Sequence, residues 1–165
     1  MDRQHNGRFM SVQTSNSSHV ALSYADGIAA RAADACLLVG RILLGWLFLA
    51  SSWAKLTNMS GFVAYLTNLK VPNPEFWSWI AAPIEFLIGL TLILGFATRY
   101  AAVAAIVFVI IATALGHRYW EYPPPQVQTQ YNHFLKNLAL IGGALFVFVS
   151  GAGRYAIDAV LRRRT

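Results

Sequence analysis

Charged residues are scarce in this chain. Only 12% of its 165 residues are Asp, Glu, Lys or Arg, whereas 56% are hydrophobic. Globular domains carry about 25% charged residues, so this chain has too few to cover a surface in contact with water. The mean hydropathy of +0.47 agrees with that conclusion. The composition therefore excludes an ordinary water-soluble domain and indicates that lipid is the solvent.

Cysteine and the common catalytic motifs are also lacking. The single cysteine, Cys36, excludes an internal disulfide and a CxxC dithiol site. The chain contains no phosphate-binding loop, dinucleotide fingerprint or nucleophile elbow. His117 and His133 lack the further ligands that a metal site needs. We therefore predict no metal and no covalent cofactor, and any redox chemistry would need a lipid-soluble carrier or a partner's cofactor.

What the sequence does contain is four long apolar runs. They cover about residues 36–56, 77–97, 100–119 and 134–153. Roughly 20 helical residues cross a hydrocarbon core of about 30 Å, and the runs lack the alternation of barrel strands. We predict an all-α fold: a transmembrane four-helix bundle over residues 35–153, preceded by a disordered cytoplasmic tail (1–34). A basic cytoplasmic segment (154–165) follows and forms a short amphipathic helix.

The connections between the runs carry predictions of their own. After the first run, Phe62, Leu66 and Leu69 have helical spacing, which predicts a short interfacial helix. The link GFATRY is so short that runs two and three must be antiparallel neighbours. The segment EYPPPQVQTQYNH is polar and rich in proline, which predicts an extended outer loop that serves as a lid or a docking surface.

Basic residues are distributed unevenly between the two sides of the predicted bundle. Eight lie on the side of the termini (Arg3, Arg8, Arg31, Arg99, Arg154, Arg162, Arg163 and Arg164) and four on the other (Lys55, Lys70, Arg118 and Lys136). The positive-inside rule then predicts that both termini are cytoplasmic. The formal net charge of +6 is explained by this bias and by anionic lipid headgroups, so no nucleic-acid partner is inferred.

Polar residues inside the runs share faces with small residues. One face of the first run carries Arg41, Gly45, Phe48, Ser52 and Lys55, and one face of the second carries Ala82, Glu85, Gly89, Leu92 and Phe96. Arg41 and Glu85 should therefore face protein. At 1.5 Å per residue they lie roughly 10 Å apart in depth, within the combined reach of the two side chains. Such a pair would either set the helix register or belong to a functional site.

Further polar residues lie near the outer surface at the level of Lys55. They are His117 in the third run and Lys136 and Asn137 in the fourth. We hypothesise that these groups ring the mouth of a cavity with Glu85 at its floor. The alternative is structural: the lysines anchor the helices at the headgroups, His117 is a structural histidine, and Asn137 forms an interhelical hydrogen bond.

Several segments together resemble the DoxX family of small four-helix bacterial membrane proteins. They are GRILLGWLFLASSWAKL, PIEFLIGLTLILGFATR, KNLALIGG and GAGRYAID, and the resemblance covers about residues 35–160. It implies a location in the cytoplasmic (inner) membrane. It also implies a loose link to redox biology, because a related branch is similar to the membrane subunit of thiosulfate:quinone oxidoreductase.

The first functional hypothesis is a redox-associated protein that binds a quinone or a similar small apolar molecule in the outer half of the bundle. Any enzymatic role would be that of a subunit of a quinone-linked oxidoreductase. In this hypothesis Arg41 tunes Glu85 and Asn137 orients the ligand. The predicted site consists of two proton-exchanging residues, Glu85 and His117, and four ligand contacts, Arg41, Lys55, Asn137 and Trp53.

Two alternatives stay open at this point. One is a non-catalytic scaffold that recruits a soluble redox enzyme through the proline-rich loop or the arginine-rich C-terminal segment. The other is a solute or proton pathway, although four short helices without broken segments leave little room for alternating access. The predicted partners are membrane lipids and a soluble redox protein, and a homo-oligomer is compatible with the sequence.

Overall fold

The computed structural model describes residues 17–163, with side chains from Tyr24 onward. These residues form six α-helices and one short 3₁₀ turn, Tyr119–Glu121, without strands. The helices are α1 (Ser17–Thr57), α2 (Met59–Asn68), α3 (Pro74–Leu94), α4 (Thr98–Gly116), α5 (Pro124–Ser150) and α6 (Ile157–Arg162). Four helices are long and apolar enough to cross a membrane. The predicted all-α, four-helix transmembrane class is confirmed.

The N-terminal part of the chain differs from the prediction. Residues 1–16 of the predicted tail lie outside the described part of the chain, but α1 is helical from Ser17 onward. The segment before the first apolar run is rich in alanine, the residue with the highest helix propensity, so the helix extends beyond the run. The contacts between residues divide the chain into two units, and the boundary lies after Ala33. The bundle described below belongs to the unit that begins at Asp34.

The connection between the first two spans is as predicted, whereas the next outer connection is not. The interfacial helix α2 is present, and the Asn58 side chain caps it by accepting a hydrogen bond from the Gly61 N–H (3.1 Å). The prediction of an extended proline-rich loop is wrong, because α5 begins at Pro124. Proline suits the first turn of a helix, where its missing N–H would have no partner and its φ is already helical.

The two ends of the bundle are distinguished by what closes them. We call the end that carries α2 and the 3₁₀ turn the α2 end, and the end that carries α6 and the short α3–α4 link the α6 end. Helix α1 runs toward the α2 end, α3 returns, α4 runs back and α5 returns again. The antiparallel order of α3 and α4 that the short link required is therefore present.

Helices α1 and α3 touch through their backbones at two glycines. A Cβ atom on Gly45 would lie 2.6 Å from the Gly89 carbonyl oxygen, and one on Gly89 would lie 2.7 Å from the Gly45 carbonyl oxygen. Only hydrogen fits at either position, as expected for small residues at transmembrane crossings. This close crossing places Lys55 and Glu85 on one side of it and Arg41 and Leu92 on the other.

The buried core combines one apolar face from each spanning helix. Its buried members are Leu44, Phe48, Ile88, Leu92, Ala101, Ala102, Ala105, Val109, Ala144 and Val147. Helix α4 contributes three alanines, so its neighbours can approach closely. Large apolar side chains such as Trp46, Val107 and Phe146 face outward, as expected where lipid surrounds the bundle.

Candidate functional site

The polar face predicted for α1 is buried. Arg41 and Ser52 are fully buried, Phe48 is nearly so, and Lys55 is half-buried at the α2 end. On α3 the predicted face is buried from Ala82 to Leu92, but Phe96 is exposed. The helix ends at Leu94, so the helical spacing no longer applies to Phe96.

Glu85 forms an ion pair with Lys55. The Lys55 Nζ lies 2.5 Å from the Glu85 Oε2, and the Glu85 side chain is only 6% exposed. The same ammonium lies 5.3 Å from the ring centroid of Phe62 and 5.9 Å from that of Phe108. The carboxylate and the two aromatic faces together replace the water that the ammonium loses.

The predicted pair between Arg41 and Glu85 does not form. Arg41 instead donates from Nη1 to the Leu92 carbonyl oxygen (3.1 Å) and from Nη2 to the Tyr155 carbonyl oxygen (2.7 Å). Leu92 lies in the last turn of α3, where carbonyls lack helical partners and the helix dipole is negative. Arg41 lies closer to these acceptors than to Glu85. It is therefore a residue that stabilises the fold.

Arg41 is half of a clamp on the α3–α4 link, and Asp158 is the other half. The Asp158 Oδ1 accepts from the Ala97 N–H (2.7 Å) and Oδ2 accepts from the Thr98 N–H (2.9 Å). The Asp158 N–H donates to the Gly95 carbonyl oxygen (3.0 Å). Gly95 has φ +66°, and a Cβ there would lie 2.1 Å from the Arg41 Nη1, so glycine is required on both counts. We call these residues the link clamp.

The link clamp also perturbs the ionisation of Asp158. Burial opposes the charged form, but the hydrogen bonds from Thr98 and Ala97 and the nearby Arg162 charge outweigh it. The pKa of Asp158 consequently lies below its usual value. Asp158 thus serves as a charged cap on the N-terminus of α4.

A cavity of about 310 Å³ lies between α1, α3, α4 and α5 on the α2 side of the glycine crossing. Five polar side chains line it: Ser51, Lys55, Glu85, Lys136 and Asn137. Its other walls are apolar and include Leu47, Phe48, Phe108 and Leu140. Lys136 is exposed and Glu85 is buried, so the cavity leads from the surface to the ion pair. Lys55, Asn137 and Glu85 therefore come together as hypothesised.

Asn137 forms an interhelical hydrogen bond, as the structural alternative in the sequence analysis predicted. Its Nδ2 donates to the Thr113 Oγ1 (2.8 Å), and that hydroxyl donates to the Val109 carbonyl oxygen (2.6 Å). The bond ties α5 to α4 beside the cavity. Asn137 nonetheless contributes to the cavity wall, so a structural role and a ligand contact are compatible.

Two other predicted site residues lie outside the cavity wall. His117 stacks on His133 with ring centroids 5.0 Å apart, and its Nδ1 lies 2.8 Å from the Gln130 Oε1. Trp53 is 63% exposed on the outside of α1. Within residues 17–163, no cluster of three or more His, Cys, Asp or Glu side chains is arranged to hold a metal ion.

Sequence reasoning missed the residues that surround the ion pair. Phe62 and Phe108 flank the Lys55 ammonium, and the Thr113 hydroxyl accepts a hydrogen bond from Asn137. Each is apolar or a common helix residue without a distinctive local pattern. Only the arrangement of α2 and α4 around α1 identifies them, so no signal in the sequence could have found them.

The structure therefore defines a four-helix, multi-pass membrane protein with an intramembrane Lys–Glu pair beside a cavity. The family model named DoxX matches residues 36–118. Inner membrane protein YphA of Escherichia coli is 31% identical over 137 residues, which cover 83% of this chain and 96% of that protein. Inner membrane protein YqjF of the same organism is 31% identical over 131 residues, covering 79% and 95%. The chain belongs to the DoxX family. No solved structure matches it.

The ion pair should show strong energetic coupling. We expect Lys55→Gln and Glu85→Gln each to lower the thermal stability, because each leaves a desolvated charge without its partner. The double variant should lose less stability than the sum of the two single losses, with a coupling energy of about 1 to 3 kcal/mol. The exposed pair Arg118–Glu121 (3.2 Å) is the matched control and should show almost none. Thermal unfolding in detergent measures both cycles, and additive losses at Lys55 and Glu85 would contradict the expectation.

The link clamp should make stability depend on pH. The pKa of Asp158 is lowered in the folded protein. The stability that ionised Asp158 provides is therefore complete above the pKa of about 3.9 in the unfolded chain, and it is lost as the pH falls through the folded pKa. Asp158→Asn should cost about 1 kcal/mol near neutral pH, and this cost should vanish in acid. Thermal unfolding between neutral and acidic pH tests this, with the exposed Asp26→Asn as control. A cost independent of pH would be the contrary result.

Proposed function

We propose that this inner-membrane protein is redox-associated and binds a quinone, or a similar small apolar molecule with a polar head, in the cavity. The observation that supports this most directly is a buried carboxylate paired with an ammonium in a cavity that combines polar groups with apolar walls. Ionisable groups inside a membrane usually mark a binding or proton-transfer site. The volume of about 310 Å³ lies at the lower end of the range for ligand pockets and suits a single ring.

The polar groups of the cavity match the chemistry of a quinone head. Its carbonyl oxygens accept hydrogen bonds, and the Lys55 and Lys136 ammonium groups donate them. Reduction to the quinol requires two electrons and two protons. In our proposal the Lys55–Glu85 pair exchanges protons with the head, while the electrons come from the cofactor of a soluble redox partner.

The geometry changes the roles assigned to individual residues. Lys55 replaces Arg41 as the partner that tunes Glu85, because Lys55 contacts the carboxylate and Arg41 holds the end of α3. His117 stacks on His133 and does not line the cavity. We therefore assign the proton exchange to Glu85 and its lysine partner.

The scaffold alternative receives less support from the structure. One of its two predicted docking surfaces, beside the arginine-rich C-terminal segment, was an extended loop of prolines and polar residues, but α5 takes up most of that loop. What remains between α4 and α5 is a short connection with a 3₁₀ turn. Tyr119 in this turn packs against Trp120, Tyr131 and Phe134, with ring centroids 5.1 to 5.5 Å apart. A packed turn of this kind offers a smaller docking surface than the predicted loop.

We further propose that the α2 end, with the cavity, faces the periplasm and that the termini are cytoplasmic. The excess of arginine at the α6 end supports this orientation. In a Cys36→Ser background, a membrane-impermeant maleimide should label Ser60→Cys in intact spheroplasts and leave Arg163→Cys unlabelled until the membrane is permeabilised. The reverse pattern would refute this orientation.

Quinone binding should depend on the polar end of the cavity. We expect purified protein in lipid nanodiscs to retain a long-chain benzoquinone. Lys136→Met should weaken retention about tenfold, the effect of losing one hydrogen bond to a charged group. Glu85→Gln should weaken it to a similar extent, because the Lys55 ammonium loses the carboxylate that holds it at the cavity. Quantification of extracted quinone by mass spectrometry measures it.

Two controls separate the binding role from folding. Glu75→Gln makes the same change on α3 outside the cavity wall, so it should leave retention unchanged. Lys136→Met leaves the Lys55–Glu85 pair in place and so tests the cavity even where Glu85→Gln loses stability. Equal retention by wild type and both cavity variants would overturn the proposed function.

A further inference from the structure

A second space lies between α1 and α5, on the α6 side of the cavity. It has a volume of about 430 Å³. Its walls are mainly apolar and include Leu43, Leu44 and Leu47 of α1 and Gly143, Phe146 and Val147 of α5. Arg41 and Ser150 are the polar residues in its lining. We call this space the α1–α5 crevice. It faces the hydrocarbon layer, because Leu43 and Phe146 are exposed within spans that cross the membrane.

The crevice continues the cavity along the same two helices. On α1 the cavity is lined from Leu47 to Lys55, whereas the crevice is lined from Cys36 to Leu47, so Leu47 belongs to both. On α5 the cavity ends at Leu140 and the crevice begins at Gly143. From Lys55 to Cys36 the helix advances by 19 residues, which extend about 28 Å at 1.5 Å per residue. The cavity and the crevice together are therefore close in length to the thickness of a hydrocarbon core.

Glycines leave the crevice open instead of closing it. A Cβ on Gly143 would meet only the Leu44 Cδ1, at 3.9 Å, and one on Gly40 would meet nothing within 4 Å. Gly45 and Gly89 contrast with them, because their backbones touch. Small residues in membrane helices normally allow close approach of the backbones. At Gly40 no neighbouring helix uses the space, and at Gly143 only the end of one leucine side chain approaches it, so the space is available to another molecule.

We propose that the α1–α5 crevice holds the apolar tail of the same molecule whose head occupies the cavity. The inference rests on the proposed function and specifies its ligand: a membrane amphiphile with one long hydrocarbon or isoprenoid chain, which enters sideways from the bilayer between α1 and α5. The polar cavity and the apolar crevice join at Leu47, which matches the polarity of such a molecule along its length. On binding, the tail leaves the acyl chains of the bilayer for an apolar crevice. The crevice therefore determines where the tail lies more than it raises the affinity of the protein for the molecule.

Photolabelling tests where the tail lies. The probe is a benzoquinone whose saturated chain carries a diazirine near its far end, added to the protein in nanodiscs and photolysed. Peptide mapping by mass spectrometry should find the label in residues 36–44 and 143–150. Excess long-chain benzoquinone without the diazirine should reduce that label. Label on the outward-facing surface of α4, around Val103 and Val107, should not change.

Neighbouring glycines provide a matched pair of variants. Gly143→Leu places a side chain in the crevice, whereas Gly142→Leu adds the same side chain at a position with nothing within 4 Å and outside the crevice wall. We expect the crevice label to fall about fivefold in Gly143→Leu, since filling the space excludes the tail, and to stay at the wild-type level in Gly142→Leu. Both changes raise helix propensity, so folding should persist.

The outcomes distinguish this inference from the proposed function. Retention of the quinone with label outside the crevice would overturn the placement of the tail and leave the head site intact. A phosphatidylcholine with the same diazirine that labels the crevice as strongly as the quinone does would show a general lipid site and also overturn the inference. Failure of the protein to retain any quinone would overturn both proposals.

Discussion

A charged side chain inside a bilayer must find its partner within the protein, and this constraint organises both ends of the bundle. Lys55 and Arg41 lie on one face of α1, about 14 residues or 21 Å apart at 1.5 Å per residue. Helix α3 supplies hydrogen-bond acceptors to both. It presents the Glu85 carboxylate to Lys55 and its last-turn carbonyls to Arg41. The glycine contact between these two interactions allows both to form, because it brings the helix backbones together.

The two interactions differ in what they leave accessible. Arg41 is fully buried, and its two terminal nitrogens donate to three backbone carbonyls, those of Leu92, Ile93 and Tyr155. Lys55 is partly exposed and lies beside a cavity that also contains Lys136 and Asn137. The planar guanidinium suits a fixed set of acceptors, whereas a flexible ammonium can exchange one acceptor for another. The α6 end is therefore the closed end, whereas the α2 end has polar groups beside an accessible cavity.

Much of the architecture could be predicted from the sequence because the bilayer imposes strict rules. The length of the apolar runs predicts the spans, and the spacing of Phe62 and Leu66 predicts α2. The incorrect predictions concern local context. The prolines around Pro124 predict an extended loop, but proline is also compatible with a helix start, and α5 begins there. The polar and small residues before the first run predict a disordered tail, but alanine favours helix, and α1 is helical from Ser17.

By itself the sequence determined the all-α membrane class and the inward faces of α1 and α3, since these follow from composition and helical periodicity. Its short motifs carried the family resemblance. The tertiary structure alone decided which buried charge meets which partner. A helical wheel gives the direction of a side chain and its depth, but not the identity of the group opposite. That depends on where α3 ends and how closely it crosses α1, which explains why Glu85 pairs with Lys55 while Arg41 holds the end of α3.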